Sequence, residues 1–261
     1  MKVGGSNMLA IERRQKIVEI IQEEKKVLVQ ELAINFSVTE ETIRRDLEKL
    51  EDQGILKRTY GGAIVNEGTN VDMPLDMREV VNKGGKLKIA EKVAEEIKDG
   101  ETLMLDSSST AFYVAKCLKK NNKKVTIITN SFKVVTELQD VKDINLILAG
   151  GTFRLSSKSF VGKWAENVIK NYYVNKAIIC CKGMDINRGV MDSNEQEAEI
   201  KKYMAKCSNQ VVLVVDKVKF DKSSFVKIMD FKDIDIIYTD EKISEEWEST
   251  LKINKVQLTF C

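Results

Sequence analysis

Apolar residues in the first quarter of the chain recur at a helical period. Ile17, Ile20 and Ile21 predict a first helix from about Leu9 to Glu24, and Val27-Leu28-Val29 with Leu32-Ala33 predict a short second one. Phe36-Ser37-Val38 reads as a tight turn into a third helix, on which Ile43, Leu47 and Leu50 form a single stripe. Thr39 is placed to cap that helix, and Glu40 and Glu41 sit in its first turn, where the dipole favours acids. At about 100° per residue, Arg45 points away from the stripe, with Thr42 and Arg44 on its flanks. Gly54 stops the helix, and Lys57-Arg58-Thr59-Tyr60-Gly61-Gly62 reads as a basic hairpin.

Helix, short helix, turn, helix, hairpin is the order of a winged helix-turn-helix. Two arginines on the outer face of the third helix suit a DNA groove, and the basic hairpin suits phosphate. Taken alone, Arg44-Arg45 reads first as a solvated charged face, since charge runs are usually solvated; the company of the other elements reverses that order. Met8 followed by Leu-Ala-Ile-Glu-Arg-Arg reads as a natural beginning, with residues 1–7 outside the fold.

Residues 66–82 form a polar link holding the only proline, Pro74, so the pattern divides into a domain at 8–65, the link, and a domain at 83–261. Beyond the link, helices alternate with short apolar runs. A helix is expected over Ile89–Ile97 and another up to about Leu118. Strands are expected at Thr102–Asp106, Val125–Thr129, Ile144–Leu148, Lys176–Cys181, Val211–Val215 and Ile234–Tyr238. Near-continuous apolar strands separated by helices predict an α/β domain with a mostly parallel sheet.

The 261 residues, 43% hydrophobic and 31% charged, suffice for two packed cores. Net charge is +2, and in residues 1–65 eleven Lys and Arg balance eleven Asp and Glu. Generic, charge-driven coating of nucleic acid needs a basic excess, so binding here would depend on placement. No run approaches the ~18 apolar residues of a membrane span, and no signal peptide opens the chain. Five cysteines without an export signal predict reduced thiols in the cytoplasm. Cys180-Cys181 lies in an apolar run and reads as strand, with a redox pair as the alternative. Histidine is absent, which removes imidazole acid–base chemistry and nearly all histidine zinc sites; no metal or cofactor is expected.

Each expected strand gives way to polar or glycine residues at its C-terminal end, the edge where open α/β sheets bind ligands. The sharpest case is Ser107, Ser108, Ser109 and Thr110 after Asp106. Four hydroxyls at a helix N-terminus make an anion cradle, whereas plain helix capping needs only one.

The run Thr42-Ile43-Arg44-Arg45-Asp46-Leu47 and the ending Gly54-Ile55-Leu56-Lys57-Arg58-Thr59-Tyr60-Gly61-Gly62-Ala63 are similar to the signature of the DeoR family of bacterial transcriptional regulators. Tyr60 stands where the family usually has histidine. Residues 86 to 240 resemble the C-terminal sensor domain of the same family. Leu105-Asp106-Ser107 with Thr110, Thr129-Asn130-Ser131, Gly150-Gly151, Val161-Gly162, Gly183-Met184-Asp185, Asn194-Glu195, Glu197-Ala198, and Asp216 with Lys219-Phe220 carry that likeness. Ser108-Ser109 and Cys181-Lys182 depart from the family pattern and would alter the pocket.

The resemblance implies a sugar-phosphate-isomerase-like sensor fold and a repressor of a sugar-utilisation operon. Its partners would be operator DNA, a phosphorylated sugar and further copies of itself, as dimer or tetramer. Thr39, Thr42, Arg44, Arg45, Lys57, Arg58, Tyr60, Gly61 and Gly62 would meet DNA. Ser107, Ser108, Ser109 and Thr110 would hold phosphate, and Asp106, Asn130, Asp185, Glu197 and Lys219 would line the sugar end. Thr129, Ser131, Gly150, Gly151, Lys182 and Gly183 would complete the pocket. The rival is an isomerase with an added DNA-binding domain, for which Glu197, Asp185 or Asp106 would supply the carboxylate base.

Overall fold

A computed structural model describes residues 8–66, 68 and 72–261, and the chain divides into two compact units, 1–82 and 83–261. Residues 1–7, expected to precede the fold, lie outside the described residues.

The first unit runs α1 (Ala10–Glu24), β1 (Lys26–Leu28), α2 (Val29–Phe36), α3 (Glu40–Asp52), β2 (Leu56–Thr59), β3 (Gly62–Val65) and α4 (Leu75–Val80). Ile17, Ile21, Leu32, Ile43, Leu47 and Leu50 meet in one core with Ile55 and Leu56. Burying each such side chain contributes about 1.5–3 kcal/mol. Thr39 caps α3, its hydroxyl accepting the Thr42 N–H at 3.3 Å.

Val27 and Leu28 are not helical, as the spacing implied. They form β1, antiparallel to β3, which lies between β1 and β2. The approach is close: a Cβ on Gly62 would stand 2.1 Å from the Val27 carbonyl oxygen, so only glycine lets this strand in. The link also differs from expectation. Met73 and Met77, four residues apart around the start of α4, are buried in the first unit's core.

Charge completes this core. Asp46 is buried on α3, with Arg13 Nε at 2.6 Å and Arg14 Nη1 at 3.2 Å from its two oxygens. These contacts tie α1 to the buried side of α3.

In the second unit the strands of the main sheet are β4 (Thr102–Leu105), β5 (Val125–Thr129) and β6 (Ile144–Leu148). After a hairpin of β7 (Thr152–Arg154) and β8 (Ser159–Val161), β9 (Val174–Ile179) joins that sheet. β10 (Gly183–Asp185) and β11 (Gly189–Asp192) follow, then β12 (Ser208–Val214), β13 (Val226–Met229), β14 (Ile236–Thr239) and β15 (Gln257–Phe260). The helices are α5 (Lys83–Glu96), α6 (Ser109–Lys120), α7 (Phe132–Leu138), α8 (Lys163–Lys170), α9 (Glu195–Lys206) and α10 (Glu245–Ile253).

The seven-stranded sheet has the order β15-β14-β12-β9-β4-β5-β6, and every neighbouring pair is parallel. All the expected strands are present, shifted by a few residues at their ends. β15 was not anticipated, because an edge strand alternating polar and apolar residues has no continuous apolar run to announce it. The antiparallel sets β7-β8 and β10-β11-β13 were likewise not read from the sequence. From β4 the chain winds outward through β5 and β6, then returns to β9 on β4's other side and winds the opposite way. The strand order therefore reverses between β4 and β9, the position at which open α/β sheets form a crevice.

Replacing Asp46 with alanine leaves Arg13 buried without its carboxylate. The substitution should cost about 3 kcal/mol, measured by denaturant unfolding of the full chain followed at the first unit. An unchanged midpoint would show that the pair does not hold α1 to α3.

Candidate functional site

On the first unit, α3 turns Arg44 and Arg45 outward, their side chains 54% and 74% exposed. Each is met by a glutamate one turn earlier: Arg44 Nη2 lies 2.5 Å from Glu40, and Arg45 Nε lies 3.2 Å from Glu41. The β2–β3 hairpin brings Lys57, Arg58 and Tyr60 to the surface, and Tyr60 is fully exposed at the turn. Gly61 makes that turn at φ +83°. Gly62 sits beneath β1 instead of at the surface, so packing alone requires it. Thr39 is exposed and serves as cap; its hydroxyl also hydrogen-bonds that of Thr42 at 2.9 Å.

The second unit's candidates gather mainly at the crevice between β4 and β9. Asp106, just past β4, is fully buried. Its Oδ1 accepts the Ser108 N–H at 3.0 Å, its Oδ2 accepts the Cys180 N–H at 2.9 Å, and Lys201 Nζ stands 3.5 Å away. It was expected to line the sugar end; the structure shows it tying β4 to β9. Of the four hydroxyls, Ser108 caps α6 at 3.1 Å, Ser107 donates to Glu197 at 2.8 Å, and Thr110 lies 3.8 Å from the Cys180 sulfur. Ser109 is buried with them. The cradle is thus largely internally bonded. What the first turn of α6 still presents is backbone, since its first N–H groups have no intrahelical acceptor.

Glu197 on α9 is 4% exposed and accepts three hydroxyls: Ser107, Ser157 at 2.6 Å and Ser159 at 2.6 Å. Arg154 Nη1 stands 3.7 Å from it. Both oxygens of this buried carboxylate are engaged by hydroxyl donors.

Beside it, Thr129 donates to the Leu105 carbonyl at 2.7 Å, and Ser131 caps α7 at 3.3 Å. Asn130 donates to the Phe160 carbonyl at 3.0 Å, while its Oδ1 has no hydrogen-bond partner among the described residues. Gly151 packs against β8, where a Cβ would come within 2.7 Å of the Val161 oxygen, and Gly150 borders open space. Lys182 is half-buried, its N–H donating to the Met191 carbonyl at 2.9 Å. Gly183 abuts the Lys222 backbone, 2.3 Å from where a Cβ would stand. Asp185 is not joined to the other candidates: it accepts the Ser223 hydroxyl at 2.8 Å and the Asn187 and Arg188 N–H groups. Those bonds, the hydroxyl first, hold its carboxyl below the usual range.

Burial pushes the Cys180 and Cys181 thiols up, only partly opposed by the Lys219 and Lys201 charges. They are poor thiolates, which leaves the redox alternative without its nucleophile.

Several polar residues escaped the sequence reading. Lys201 lies one helical turn after Glu197 on α9, and that spacing was the available signal. It reaches Asp192 at 2.5 Å as well as Asp106. Lys86 on α5 pairs with Asp216 at 3.6 Å, both nearly inaccessible. The Asp216 oxygens and the Thr239 hydroxyl, at the ends of adjacent strands β12 and β14, have no hydrogen-bond partner among the described residues. The strand ends therefore combine buried cations with unused oxygen acceptors, a setting suited to an anion carrying hydroxyl groups.

Burial opposes the Lys201 charge, but Asp192, Asp106 and Glu197 more than offset it, so its pKa lies above the usual lysine value. Its stabilising effect is then complete below about pH 10, the unfolded value, and is lost only above that. Lys201→Met should cost about 3 kcal/mol, because two buried carboxylates lose their cation. The gap in unfolding free energy from the unmutated chain should stay constant between pH 6 and 9. A gap that narrows as pH rises through that window would contradict the assignment.

A family model for the DeoR-like helix-turn-helix domain matches residues 13–69, and one for the DeoR C-terminal sensor domain matches 81–241. The HTH-type transcriptional regulator YulB of Bacillus subtilis is 40% identical over 252 residues, 97% of each chain. The glycerol-3-phosphate regulon repressor of Escherichia coli K12 is 31% identical over 254 residues, covering 97% of this chain and 100% of its own. The L-fucose operon activator of Haemophilus influenzae is 30% identical, with 89% of this chain and 93% of its own covered. Among solved structures, ribose 5-phosphate isomerase A of Methanocaldococcus jannaschii overlaps 54% of this chain and 56% of its own, at 19% identity and a TM-score of 0.40. Among the described residues no helix is long and apolar enough to cross a membrane. The isomerase reading gives way to these matches, which run through both units: the chain belongs to the DeoR family of DNA-binding transcriptional regulators.

Proposed function

We propose that this regulator is a repressor of a sugar-utilisation operon, whose hold on its operator is set by a phosphorylated sugar bound at the strand ends of the second unit. The observation that carries the DNA half is the outward pair Arg44 and Arg45 on α3, beside a hairpin presenting Lys57, Arg58 and Tyr60. Arg45 reads bases in the major groove, Arg44 and the hairpin hold the backbone, and Thr39 and Thr42 border the contact. A single short helix covers too few base pairs for specificity in a genome, so two or more copies act on a repeated site.

The effector half is supported by the buried cations and unsatisfied acceptors at the strand ends. The phosphate meets the free N–H groups at the first turn of α6, with Lys219 and Arg154 nearby, and the sugar hydroxyls meet Asn130, Asp216 and Thr239. Relatives named for a glycerol-3-phosphate regulon and an L-fucose operon accord with this ligand class.

Arg45→Ala should cost about 1–3 kcal/mol on operator DNA and relax base preference. Arg58→Ala should weaken all duplexes alike and flatten the salt dependence, by about one unit of slope. Titrations of labelled duplexes at several salt concentrations check both, and unchanged affinity in both variants would sink the DNA reading.

A thermal-shift panel of phosphorylated sugars, each with its unphosphorylated parent, tests the effector. The right sugar phosphate at 100 times its dissociation constant should add about 2.7 kcal/mol of stability, and its parent should add nothing. Equal shifts from both forms would refute a phosphate site.

A further inference from the structure

We propose that Glu51 is a positioning residue for DNA binding, a buttress that aims the Arg58 guanidinium at the DNA backbone. The proposal rests on the reading of the hairpin as a DNA contact. One carboxylate holds Arg58 at both ends: Glu51 Oε1 accepts the Arg58 backbone N–H at 2.7 Å, and Oε2 accepts its Nε–H at 2.7 Å.

The backbone bond meets a second need. β2 is an edge strand, and Glu51 covers an N–H that the sheet leaves unpaired. A guanidinium has five N–H donors in a planar fork. With Nε held by Glu51, the four N–H groups on Nη1 and Nη2 have no partner among the described residues. They form the edge that pairs with a phosphate in two parallel bonds.

The surroundings fit. Arg44, Glu51 and Arg58 line a cleft between α3 and the hairpin, with Leu47 and Gly62 buried in its depth. Arg44 and Glu51 are seven residues apart, two helical turns, so they share one face of α3. A phosphate entering this cleft meets Arg44 on one side and the oriented fork of Arg58 on the other. In free solution the Glu51 and Arg58 charges reinforce each other: the Arg58 N–H and guanidinium lower the Glu51 pKa, and Glu51 raises that of Arg58.

The sign of the effect makes this testable. Glu51 is an acid on a surface that meets a polyanion, so charge alone predicts that removing it tightens DNA binding. A buttress predicts looser binding to the specific site. An operator duplex would be selected from a randomised pool with the unmutated full chain, and an unselected duplex of equal length would serve as control. Glu51→Gln removes the charge, Glu51→Asp keeps it but is one methylene too short to hold both N–H groups, and Arg58→Lys removes the fork. Melting curves establish that each variant is folded.

Glu51→Gln and Glu51→Asp should each weaken operator binding about 5- to 10-fold. Because Arg58 meets the backbone of any duplex, binding of the unselected duplex should fall by a similar factor for Glu51→Asp and by less for Glu51→Gln, whose lost acidic charge favours every duplex. The double variant Glu51→Gln/Arg58→Lys should bind no more weakly than Arg58→Lys alone, because the buttress has nothing left to aim. Operator binding by Glu51→Gln at or above the unmutated level, or additive losses in the double variant, would overturn the role given to Glu51. Unchanged binding of both duplexes by Arg58→Lys would overturn this proposal, since no fork would then be in use, whereas the hairpin contact itself falls only if Arg58→Ala also leaves binding unchanged. If Glu51→Gln does not fold, Glu51→Asp against Arg58→Lys decides the same question.

Discussion

A charge shut away from water is tolerable only beside its opposite, and both units are organised around meeting that condition. In the first, Asp46 lies inside the core between Arg13 and Arg14, so α1 and α3 are held in one relative placement from their buried side. The outward direction of Arg45 follows from that lock. In the second, Lys201 stands between Asp192 and Asp106, joining α9 to the end of β11 and to the end of β4. Asp106 passes the constraint on through the Cys180 N–H to β9. The two strands that flank the crevice are thus tied by the same carboxylate that needs the lysine. Removing either partner would expose the other to the full desolvation penalty, which is several kcal/mol per ion.

Charge on the face proposed to meet DNA obeys a different rule, because it is solvated. Surface ion pairs such as Arg44–Glu40 and Arg45–Glu41 stabilise the fold by no more than about 0.3–0.5 kcal/mol each. Their consequence is kinetic and selective instead. Eleven acids balance eleven bases in residues 1–65, so the head carries no general attraction for nucleic acid. A phosphate or base edge must replace a carboxylate already in place, and it can do so only where geometry lets several contacts form together. Weak binding to random duplex and strong binding to one sequence then come from the same arrangement of glutamates.

How much of this was legible in the sequence depends on the range of the interaction. Helices α1, α2 and α3 of the first unit and six of the seven strands of the second unit's main sheet were visible because their signal is periodic and local: Ile43, Leu47 and Leu50 announce α3 whatever lies elsewhere. β1 was misread because Val27 and Leu28 carry as much helix pattern as strand pattern over three residues. What decided them was Gly62, 35 positions away, whose missing Cβ admits their backbone. Met73 and Met77 looked like punctuation in a polar link, since two methionines do not make a period. The outward arginines were legible from helix geometry, but the bond from Glu51 on α3 to Arg58 on the hairpin was not. The same holds at the strand ends. Ser107 to Thr110 and Glu197 stand out in the sequence as candidates for an effector site, yet the bond between Ser107 and Glu197 depends on packing that brings residues 90 apart into contact.

That bonding bears on how a ligand could act at a distance. An effector changes DNA affinity only by binding two conformations unequally, and a coupling of 1–3 kcal/mol corresponds to roughly a 5- to 150-fold change. Glu197 joins three separate pieces of chain through its oxygens: the β4–α6 loop through Ser107, and the β7–β8 hairpin through Ser157 and Ser159, all from its own place on α9. Oε1 accepts the Ser157 and Ser159 hydroxyls with the Arg154 guanidinium 3.7 Å away, and Oε2 accepts that of Ser107. An anion seated at the first turn of α6 competes with Glu197 for the same donors and repels its charge. The hydroxyls of the hairpin and the guanidinium of Arg154 can then turn from Glu197 to the ligand, or the hairpin can stay and exclude it. Bonding to Glu197, as observed, and bonding to a ligand would then be alternatives for the same donors, since a half-satisfied buried network is the least stable state. A ligand there would bias that choice, and the hairpin, tied through the backbone of Lys158 and Phe160 to Phe132 and Asn130, would pass it to α7 and the end of β5.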